Sequence, residues 1–413
     1  YLISNGPEMA WFAAKVNEEC QGHSGSTING KLIDNINLGN FDWTPIGAAI
    51  LQTGSTYKYY PGYKGTFDGN GKTVSGLKID NQENSQAFFG YVTTGAVIKN
   101  LTVEGSVTAK QFAGGIISQV EGGAAITNCV NNVNVTTIHQ GNAMTGGIVG
   151  YVKSNSSYPG TTKIENCVNN GTITGGNAKD SSYIGGITGS VSNTDYIKNC
   201  VNNGAVNATG DSIGGIVGNN SAPVMYCQNT AAVNGKTTVG GIAGFTNKEV
   251  TNCYNTGAVS GTTANKTKGI GGIVGNLHSK YGGRINGCYN TGTVTAETGQ
   301  TGGLAGYSGD ATVNAVTASY YQENTASAGV ATNGNEADVA APKTEAEMKT
   351  AAMAGLLGGQ FATTNNGSYP VLKWQNDNAK YVTYILPDPI DSAVTLAKDG
   401  VVQTAVEAGV YLL

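Results

Sequence analysis

Positive charge is scarce in this sequence. Arg284 is the only arginine, lysine and arginine together supply 23 of 413 residues, and the formal net charge at pH 7 is −4. Because there is no basic stripe or patch, we expect no nucleic-acid partner. No apolar run is long enough to span a bilayer, so we also expect no direct membrane insertion. A signal peptide and an anchoring motif are missing too, and we interpret the chain as a mature segment without its targeting signal.

Charged residues of both signs make up only 12% of the chain, whereas glycine is abundant at 62 residues. Tyrosine (21) outnumbers phenylalanine (8), and Asn, Thr and Ser are dense. Gly, Asn and Ser favour turns, while Val, Ile, Thr and Tyr favour strands. This composition predicts an all-β protein built from many short strands.

Two short blocks alternate along the chain, as expected for a repeat protein. The first block has the pattern Gly-Gly-Ile/Leu-x-Gly, and its copies are GGIIS (114–118), GGIVG (146–150), GGITG (185–189), GGIVG (214–218), GGIAG (240–244), GGIVG (271–275) and GGLAG (302–306). The second block contains a cysteine, and its copies carry Cys129, Cys167, Cys200, Cys227, Cys253 and Cys288. An earlier degenerate copy, VIKNLTVEGSVT (97–108), has Leu101 in the cysteine position.

Each repeat unit predicts three short strands: the glycine block, the Ile-x-Asn-Cys stretch and the stretch after the following turn. The unit is too long for a hexapeptide coil and lacks the leucine pattern of a leucine-rich repeat. We therefore predict a parallel β-helix solenoid of about eight three-strand coils. At the usual strand spacing, its axis would be roughly 40 Å long.

In such a solenoid, equivalent positions of successive coils lie over one another. Leu101 in the cysteine position indicates an apolar interior slot, which free cysteine suits as a small hydrophobe. Parallel side-chain vectors fit disulfide geometry poorly, and one cysteine column matches no zinc spacing. The asparagine two residues after each cysteine is interpreted as a structural ladder at a sharp corner, and its members are Asn131, Asn169, Asn202, Asn229, Asn255 and Asn290.

These blocks, taken together, resemble the GLUG-motif repeat proteins of bacterial surfaces. The segments WTPIG (43–47), GTFDGNGKTVSGLKI (65–79) and NNGSYPVLKWQ (365–375) resemble the usual beginning and end of that family, so the resemblance covers roughly residues 1–378. It implies a right-handed β-helix in a secreted or wall-attached protein, often of a Gram-positive gut bacterium. It implies adhesion and surface display rather than one reaction. Two segments depart from the family pattern, 224–233 and 285–290, and we expect local bulges there.

The sequence predicts two helices outside the repeats. Pro7 and the apolar spacing of Met9, Phe12, Ala13 and Val16 predict an amphipathic helix over 7–19 that covers the first coil. Thr344-x-x-Glu347 predicts a capping box before a second helix over 345–357.

The sequence predicts four regions. They are an N-terminal cap (1–64), the repeat β-helix (65–340), a C-terminal helix with a closing segment (341–378) and a truncated β-sandwich-like module (379–413).

Residues suited to catalysis are sparse. No two carboxylates of the repeats occupy equivalent positions in adjacent coils. These carboxylates are Glu165, Asp180, Asp195, Asp211 and Glu249. The three histidines, His23, His139 and His278, are far apart in sequence. Glycoside hydrolysis needs a pair of carboxylates, and no established catalytic motif is present. We therefore predict no catalytic site, no metal site and no cofactor.

The segment STYKYYPGYKG (55–65) concentrates tyrosines beside proline and glycine. Tyrosine rings suit contact with sugars or protein partners, so the candidate binding set is Tyr57, Tyr59, Tyr60 and Tyr63. The alternative is that these side chains fold back over the first coil as part of the cap, and we favour that alternative.

The sequence thus favours a non-enzymatic, extracellular or cell-wall-attached bacterial solenoid that acts as an adhesin or as a display and spacer scaffold. A carbohydrate-binding module using exposed tyrosines is the main alternative, and a polysaccharide-degrading β-helix enzyme is a weaker one. The expected partners are a glycan or a surface protein of host or bacterium. We expect the chain to be a monomer.

Overall fold

The structure, a computed structural model, consists almost entirely of short parallel strands. It describes residues 1–22, 25–47, 50–53, 56–59, 62–81, 83–138, 142–154, 159–175, 182–192, 195–264, 268–309, 315–331, 342–363, 367–375, 397–398 and 401–402.

A typical coil contains five short strands where the sequence predicts three. The glycine block is not one strand but the bend between two, because Tyr183–Gly185 ends at the glycine pair and Thr188–Val191 begins beyond it. The cysteine block is likewise divided, between Tyr196–Lys198 and Val201–Asn202, and Val206–Ala208 completes the coil. Each strand pairs in parallel with its counterpart in the next coil, which gives five strand stacks.

Stacks one to three form one 25-stranded sheet. The first stack contains Leu2–Ile3, Gly30–Leu32, Thr66–Asp80, Val97–Ala109, Ala125–Thr127, Lys163–Glu165, Tyr196–Lys198, Val224–Met225, Glu249–Thr251, Arg284–Asn286 and Val316–Thr317. The second adds Ile36–Asn37, Val130–Thr137, Val168–Asn169, Val201–Asn202, Gln228–Asn229, Tyr254–Asn255, Tyr289–Asn290, Tyr320–Gln322 and Pro342–Lys343. The third adds Ile173–Gly175, Val206–Ala208, Val233–Gly235, Val259–Thr263 and Val294–Thr298.

Stacks four and five form a 15-stranded sheet. The fourth contains Phe112–Gly114, Met144–Gly146, Tyr183–Gly185, Ser212–Gly214, Thr238–Gly240, Ile270–Gly271 and Thr301–Ser308. The last of these strands continues into the fifth stack, which also contains Phe89–Thr93, Ile117–Glu121, Val149–Lys153, Thr188–Val191, Val217–Asn220, Ala243–Thr246, Val274–Leu277 and Ala328–Val330.

The remaining elements are helices and small hairpins. The helices are α1 (Gly6–Gln21), a 3-10 turn (Ser279–Tyr281), α2 (Glu345–Met348) and α3 (Ala351–Leu356). The hairpins pair Ile50–Thr53 with Thr56–Tyr59, Phe361–Ala362 with Val371–Leu372, and Ala397–Lys398 with Val401–Val402. Among the described residues, no helix is both long and apolar enough to cross a membrane. The chain divides into two compact units, Tyr1–Thr344 and Glu345–Leu413.

A column of aliphatic side chains runs through the interior of the solenoid. In the first stack, successive coils place equivalent apolar residues in register, and all of them are fully buried: Ile98, Ile126, Ile164, Ile197, Val224, Val250, Ile285 and Val316. Each column buries apolar surface that one coil alone could not cover, so stability depends on stacking. The fold is therefore a parallel β-helix solenoid, as the repeat predicts.

The corner before each cysteine is made by a residue with positive φ. Asparagine tolerates this left-handed conformation better than most residues, and Asn166 and Asn199 adopt it with φ of 54° and 53°. Tyr226 and Gly287 occupy the same corner in the divergent copies, with φ of 56° and 62°. The strands on either side stay in register there, so the prediction of bulges at 224–233 and 285–290 is wrong.

Helix α1 packs its apolar face on the first coils. Asn5 caps it, because the Asn5 side chain accepts a hydrogen bond from the Glu8 backbone N–H at 3.0 Å. Its buried residues are Met9, Phe12, Ala13, Val16 and Cys20. The Phe12 ring contacts the rings of Tyr63 and Phe67 with centroids 6.4 and 5.6 Å apart. The predicted amphipathic helix is thus present and longer at both ends than 7–19.

The predicted single helix over 345–357 is wrong, because α2 and α3 are separated at Lys349 and Thr350. Thr350 is extended, with φ −89° and ψ 156°. Its hydroxyl donates to the Glu347 carbonyl at 2.8 Å, and such a side-chain bond competes with helix continuation. Of the region 379–413, only the hairpin strands Ala397–Lys398 and Val401–Val402 are described. The rest of that prediction lies outside the described residues.

Candidate functional site

The six predicted ladder asparagines lie in one column inside the solenoid, and each is fully buried. The Nδ2 atom of each of the first five asparagines donates to Oδ1 of the asparagine in the next coil. The distances are 2.7 Å for Asn131 to Asn169, Asn169 to Asn202, Asn202 to Asn229 and Asn229 to Asn255, and 2.8 Å for Asn255 to Asn290. The sequence motif therefore builds one continuous chain of amide hydrogen bonds.

Each ladder amide also satisfies the backbone of its own turn. The second Nδ2 hydrogen of Asn202 goes to the Gly204 carbonyl at 2.9 Å, two residues ahead. Asn169 and Asn255 bond Gly171 and Gly257 in the same way, at 3.0 and 2.8 Å. Buried polar groups cost free energy when they lack partners. The ladder meets this requirement at every coil from Asn131 to Asn290.

The glycine block leaves space for the ladder on the opposite side of the core. A Cβ atom on Gly215, the second glycine of its block, would lie 2.4 Å from Cγ of Asn229 and 2.1 Å from the Gly241 carbonyl oxygen. Gly186 stands in the same relation to Asn202, at 2.3 Å. The two alternating sequence blocks are therefore complementary, because one supplies the amide and the other the missing side chain.

In one coil the cysteine position holds the apolar Leu101, whereas in other coils the side chain at this position forms hydrogen bonds. All seven cysteines are buried and free. The Cys253 thiol donates to the Thr251 carbonyl, with Sγ 3.3 Å from the oxygen, and accepts the Cys227 backbone N–H at 3.3 Å. In the coil after Cys288, Ser319 occupies the same position and accepts the Cys288 N–H at 3.0 Å. The thiol thus serves as a hydrogen-bonding group as well as the small hydrophobe expected from sequence.

Cys20, Cys227 and Cys253 are unsuited to nucleophilic chemistry. Burial raises the pKa of Cys227 and of Cys253 well above the ordinary value, and burial raises the pKa of Cys20 to about 11. The thiolate is the reactive form, so these groups stay protonated at neutral pH. No cluster of three or more His, Cys, Asp or Glu side chains able to hold a metal occurs in the described part of the chain.

Replacing Cys253 separates the two roles of this position. We expect Cys253→Ser to lower the free energy of unfolding by less than about 1 kcal/mol, because a hydroxyl can donate and accept as Ser319 does. Cys253→Ala should cost about 2 kcal/mol more, since the Cys227 N–H then loses its buried partner. Guanidinium unfolding followed by circular dichroism measures both values. Equal stability of the two variants would contradict a hydrogen-bonding role for the thiol.

The tyrosine set does not form one exposed patch. Tyr63 is fully buried, and its hydroxyl donates to the Ile28 carbonyl at 2.8 Å. Burial strongly raises its pKa, and its ring contacts Phe89. Tyr63 as an exposed binding residue is therefore wrong, and for this residue the favoured alternative holds, because its ring fills the cap core. Tyr57 and Tyr59 lie on the hairpin strand Thr56–Tyr59, and Tyr60 lies outside the described residues.

The candidate acids and histidines remain dispersed where they are described. Glu165 accepts a bond from the Tyr196 hydroxyl at 3.2 Å, Glu249 lies in register with Arg284, and Asp211 forms an ion pair with Lys268. His278 packs beside Phe245 and Tyr281. The other candidates lie outside the described residues: Asp180, His23 and His139.

Asp195 is the exception among the acids, because it is only 3% exposed. Its Oδ1 atom accepts the Thr162 backbone N–H at 2.7 Å and the Ser154 hydroxyl at 2.8 Å. Its Oδ2 atom has no hydrogen-bond partner among the described residues. Burial raises the pKa of Asp195, and these hydrogen bonds only partly oppose that effect.

This raised pKa makes the stability contribution of Asp195 depend on pH. The ionised carboxylate is disfavoured in the folded state, so its cost is absent below the unfolded-state pKa and appears as pH rises through the folded-state pKa. We expect Asp195→Asn to have a higher Tm than the parent at pH 7.5, with the difference shrinking toward pH 4. Asp211→Asn is a control in which the Tm change is expected to have the opposite sign. Burial alone would raise the pKa of Asp211, but hydrogen bonds from Lys268 and Thr237 outweigh burial and lower it. A pH-independent difference for Asp195→Asn would contradict this assignment.

A cleft of about 340 Å³ opens on the solenoid surface where stacks four and five meet. The two stacks can approach closely because Gly189 has no side chain, and a Cβ atom there would lie only 2.5 Å from the Thr145 nitrogen. Most of the lining side chains are polar or aromatic, and the full set is Met144, Tyr151, Lys153, Ser154, Tyr183, Ser190, Val191, Ser192, Asn219 and Ser221. Sequence reasoning missed this cleft, since its residues come from three successive coils.

A second cleft, of about 310 Å³, lies beside α1 and is mainly apolar. Trp43 lines it, with its ring stacked on Phe88 at 5.3 Å and its Nε1 donating to the Phe88 carbonyl at 3.1 Å. Phe41, at its edge, is 78% exposed. The N-terminal cap therefore presents aromatic surface, but through Phe41 and the half-exposed Trp11 rather than through Tyr63.

Comparison with known proteins adds little about chemistry. The sequence matches no protein-family model and no curated protein. Among solved structures, the chain is similar to a crystal structure from Bacteroides ovatus of a protein provisionally assigned as an immunoglobulin A1 protease. The two share 19% sequence identity, with 91% of this chain and 92% of that chain covered and a TM-score of 0.47. A similarity at this level carries no functional argument.

Proposed function

We propose that this chain is a non-enzymatic bacterial surface or secreted solenoid that acts as an adhesin or display scaffold. The observation that carries the proposal is the internal use of the repeated polar residues. The Asn and Cys positions that recur in successive coils are buried, and they form hydrogen bonds with counterpart positions in neighbouring coils rather than contributing to a surface site. The repeat therefore supports a solenoid scaffold, and side chains that differ between coils share its surface with exposed asparagines such as Asn170 and Asn203.

The resemblance to GLUG-motif proteins supports the same proposal, because that family is associated with adhesion and surface display. The exposed aromatic surface at the N-terminal cap, at Phe41 and Trp11, supports it as well. Aromatic side chains are enriched where proteins bind partners. A glycan or a surface protein of host or bacterium is the proposed partner class, in an extracellular or cell-wall setting.

Binding measured together with turnover tests this proposal. Fluorescently labelled full chain is added to epithelial cells, to Gram-positive cells and to immobilised mucin, and saturable binding to at least one of them is expected. The same chain is incubated with a panel of polysaccharides and proteins, and no product is expected. Release of reducing or unsaturated sugar, or of peptide fragments, would overturn the non-enzymatic assignment. Absence of saturable binding on every surface would overturn the adhesin assignment.

A further inference from the structure

The cleft between stacks four and five lies on the solenoid surface, apart from the asparagine ladder. Its two tyrosines come from neighbouring coils, with Tyr151 in the fifth stack and Tyr183 in the fourth. Both side chains are half-buried. The Tyr151 ring is held by Phe112, with centroids 6.1 Å apart and an angle of 19° between the rings. A ring fixed in this way, with part of its surface accessible, is a flat apolar platform.

Hydrogen-bonding groups surround these rings. Ser190 lies in register with Tyr151, and Asn219 lies in register with Ser190 in the following coil. Ser192 and Ser221 extend the lining in the same two coils. Hydroxyl and amide groups both donate and accept, so the lining can pair with a ligand that carries alternating hydroxyl groups.

Ser154 provides a directed acceptor at the end of the cleft. Its hydroxyl proton points to the buried Asp195 carboxylate at 2.8 Å, which leaves the lone pairs of the Ser154 oxygen for another donor. A chain of hydrogen bonds that ends on a buried carboxylate polarises each member and strengthens the acceptor. A ligand hydroxyl donating to Ser154 would complete this chain.

The charge of the cleft selects against ionic ligands. Among the described residues of the lining, Lys153 is the one cation, and its Nζ is paired with Glu121 at 3.1 Å. An anionic ligand would compete with Glu121 and approach the Asp195 carboxylate. A cationic ligand would meet Lys153. Aliphatic lining is limited to Met144 and Val191, which gives an apolar peptide side chain little contact.

We propose that this cleft is a subsite for a neutral hexose unit of a glycan chain. The sugar face stacks on Tyr151 or Tyr183, one hydroxyl donates to Ser154, and others bond Ser190 and Asn219. The volume of about 340 Å³ falls within the range of small-molecule sites, which begins near 300 Å³. This inference rests on the proposed binding function and names the ligand class of one surface of the solenoid.

Calorimetric titration of the full chain with neutral hexasaccharides tests the subsite. The probes are the β-1,4-glucan, α-1,4-glucan, mannan and galactan hexamers, with a uronic-acid hexamer as the charged comparison. We expect at least one neutral hexamer to bind, and Tyr151→Ala combined with Tyr183→Ala to weaken it at least tenfold. Tyr196→Ala is the matched control, because Tyr196 lies on the first stack and bonds Glu165 instead. It should leave the Kd unchanged.

The single variant Asn219→Leu provides a second test in case the double variant does not fold. We expect it to bind at least fivefold more weakly than the wild type. Wild-type affinity in the double variant and in Asn219→Leu would overturn the cleft assignment while leaving adhesion intact. Binding of none of the neutral hexamers, or of the uronic-acid hexamer alone, would overturn the ligand class. Failure of the cell and mucin binding described above would instead refute the proposed function itself.

Discussion

Replacing Asn202 by alanine is expected to lower the free energy of unfolding by at least about 3 kcal/mol. The change removes three buried hydrogen bonds: one from Asn169 at 2.7 Å, one to Asn229 at 2.7 Å and one to the Gly204 carbonyl at 2.9 Å. Each buried group left without a partner costs about 1–3 kcal/mol. The cavity adds a further cost that depends on how far the coil relaxes.

The neighbouring Asn203→Ala variant is a close control. Asn203 also bonds the coils on either side, through Asn170 at 3.0 Å and Thr230 at 2.8 Å, but these contacts are exposed to solvent. Surface changes of this kind alter stability by about 0.5 kcal/mol or less. Guanidinium unfolding of both variants gives the comparison. A loss in Asn202→Ala no larger than in Asn203→Ala would mean that the buried ladder does not stabilise the solenoid.

Gly215→Ala is expected to cost more than about 4 kcal/mol or to prevent folding. The new methyl group would lie 2.1 Å from the Gly241 carbonyl oxygen and 2.4 Å from Cγ of Asn229. These are a backbone atom of the next coil and a ladder amide, so neither can move without disturbing the neighbouring coils. Protein interiors tolerate little overpacking even where a side chain can shift. Yield of folded protein and the circular dichroism melt measure the effect.

Gly22→Ala makes the same chemical change at a less crowded position. Gly22 follows α1 with φ −75°, and a Cβ atom there would lie 3.3 Å from the Glu19 carbonyl oxygen. We expect a change in stability within about 0.5 kcal/mol. If Gly215→Ala were as stable as Gly22→Ala, the glycine block would not be needed to accommodate the ladder.

The solenoid and its interior columns could be predicted because a repeat reports on stacking directly. Leu101 in the cysteine position indicated a buried slot, and the recurrence of asparagine two residues later indicated a turn that stacks on itself. The division into five strands could not be predicted in this way. The segment Gly-Gly-Ile-x-Gly has the composition of a short strand, and only its packing against the asparagine ladder shows that it is a bend.

The candidate site was much less predictable, because side-chain environment at a surface depends on distant segments. Tyr63 occurs in a tyrosine-rich stretch that looks exposed, yet it is buried by Phe12 and Phe89 from other parts of the chain. Tyr151 and Tyr183 are 32 positions apart and meet only through the coil length. One signal was available and missed: Ser319 continues the cysteine column and indicates that this position can form hydrogen bonds.

Alkylation of the native and unfolded chain tests most directly whether repetition here reflects stacked, interior columns. The chain is treated with iodoacetamide without reductant, and intact mass reports how many of the seven cysteines react. Because all seven thiols are buried and free, none should be alkylated in the native state at neutral pH, and all seven should react in guanidinium. Rapid native labelling of the column cysteines, or thiols that stay unreactive after unfolding because they are paired in disulfides, would contradict the account.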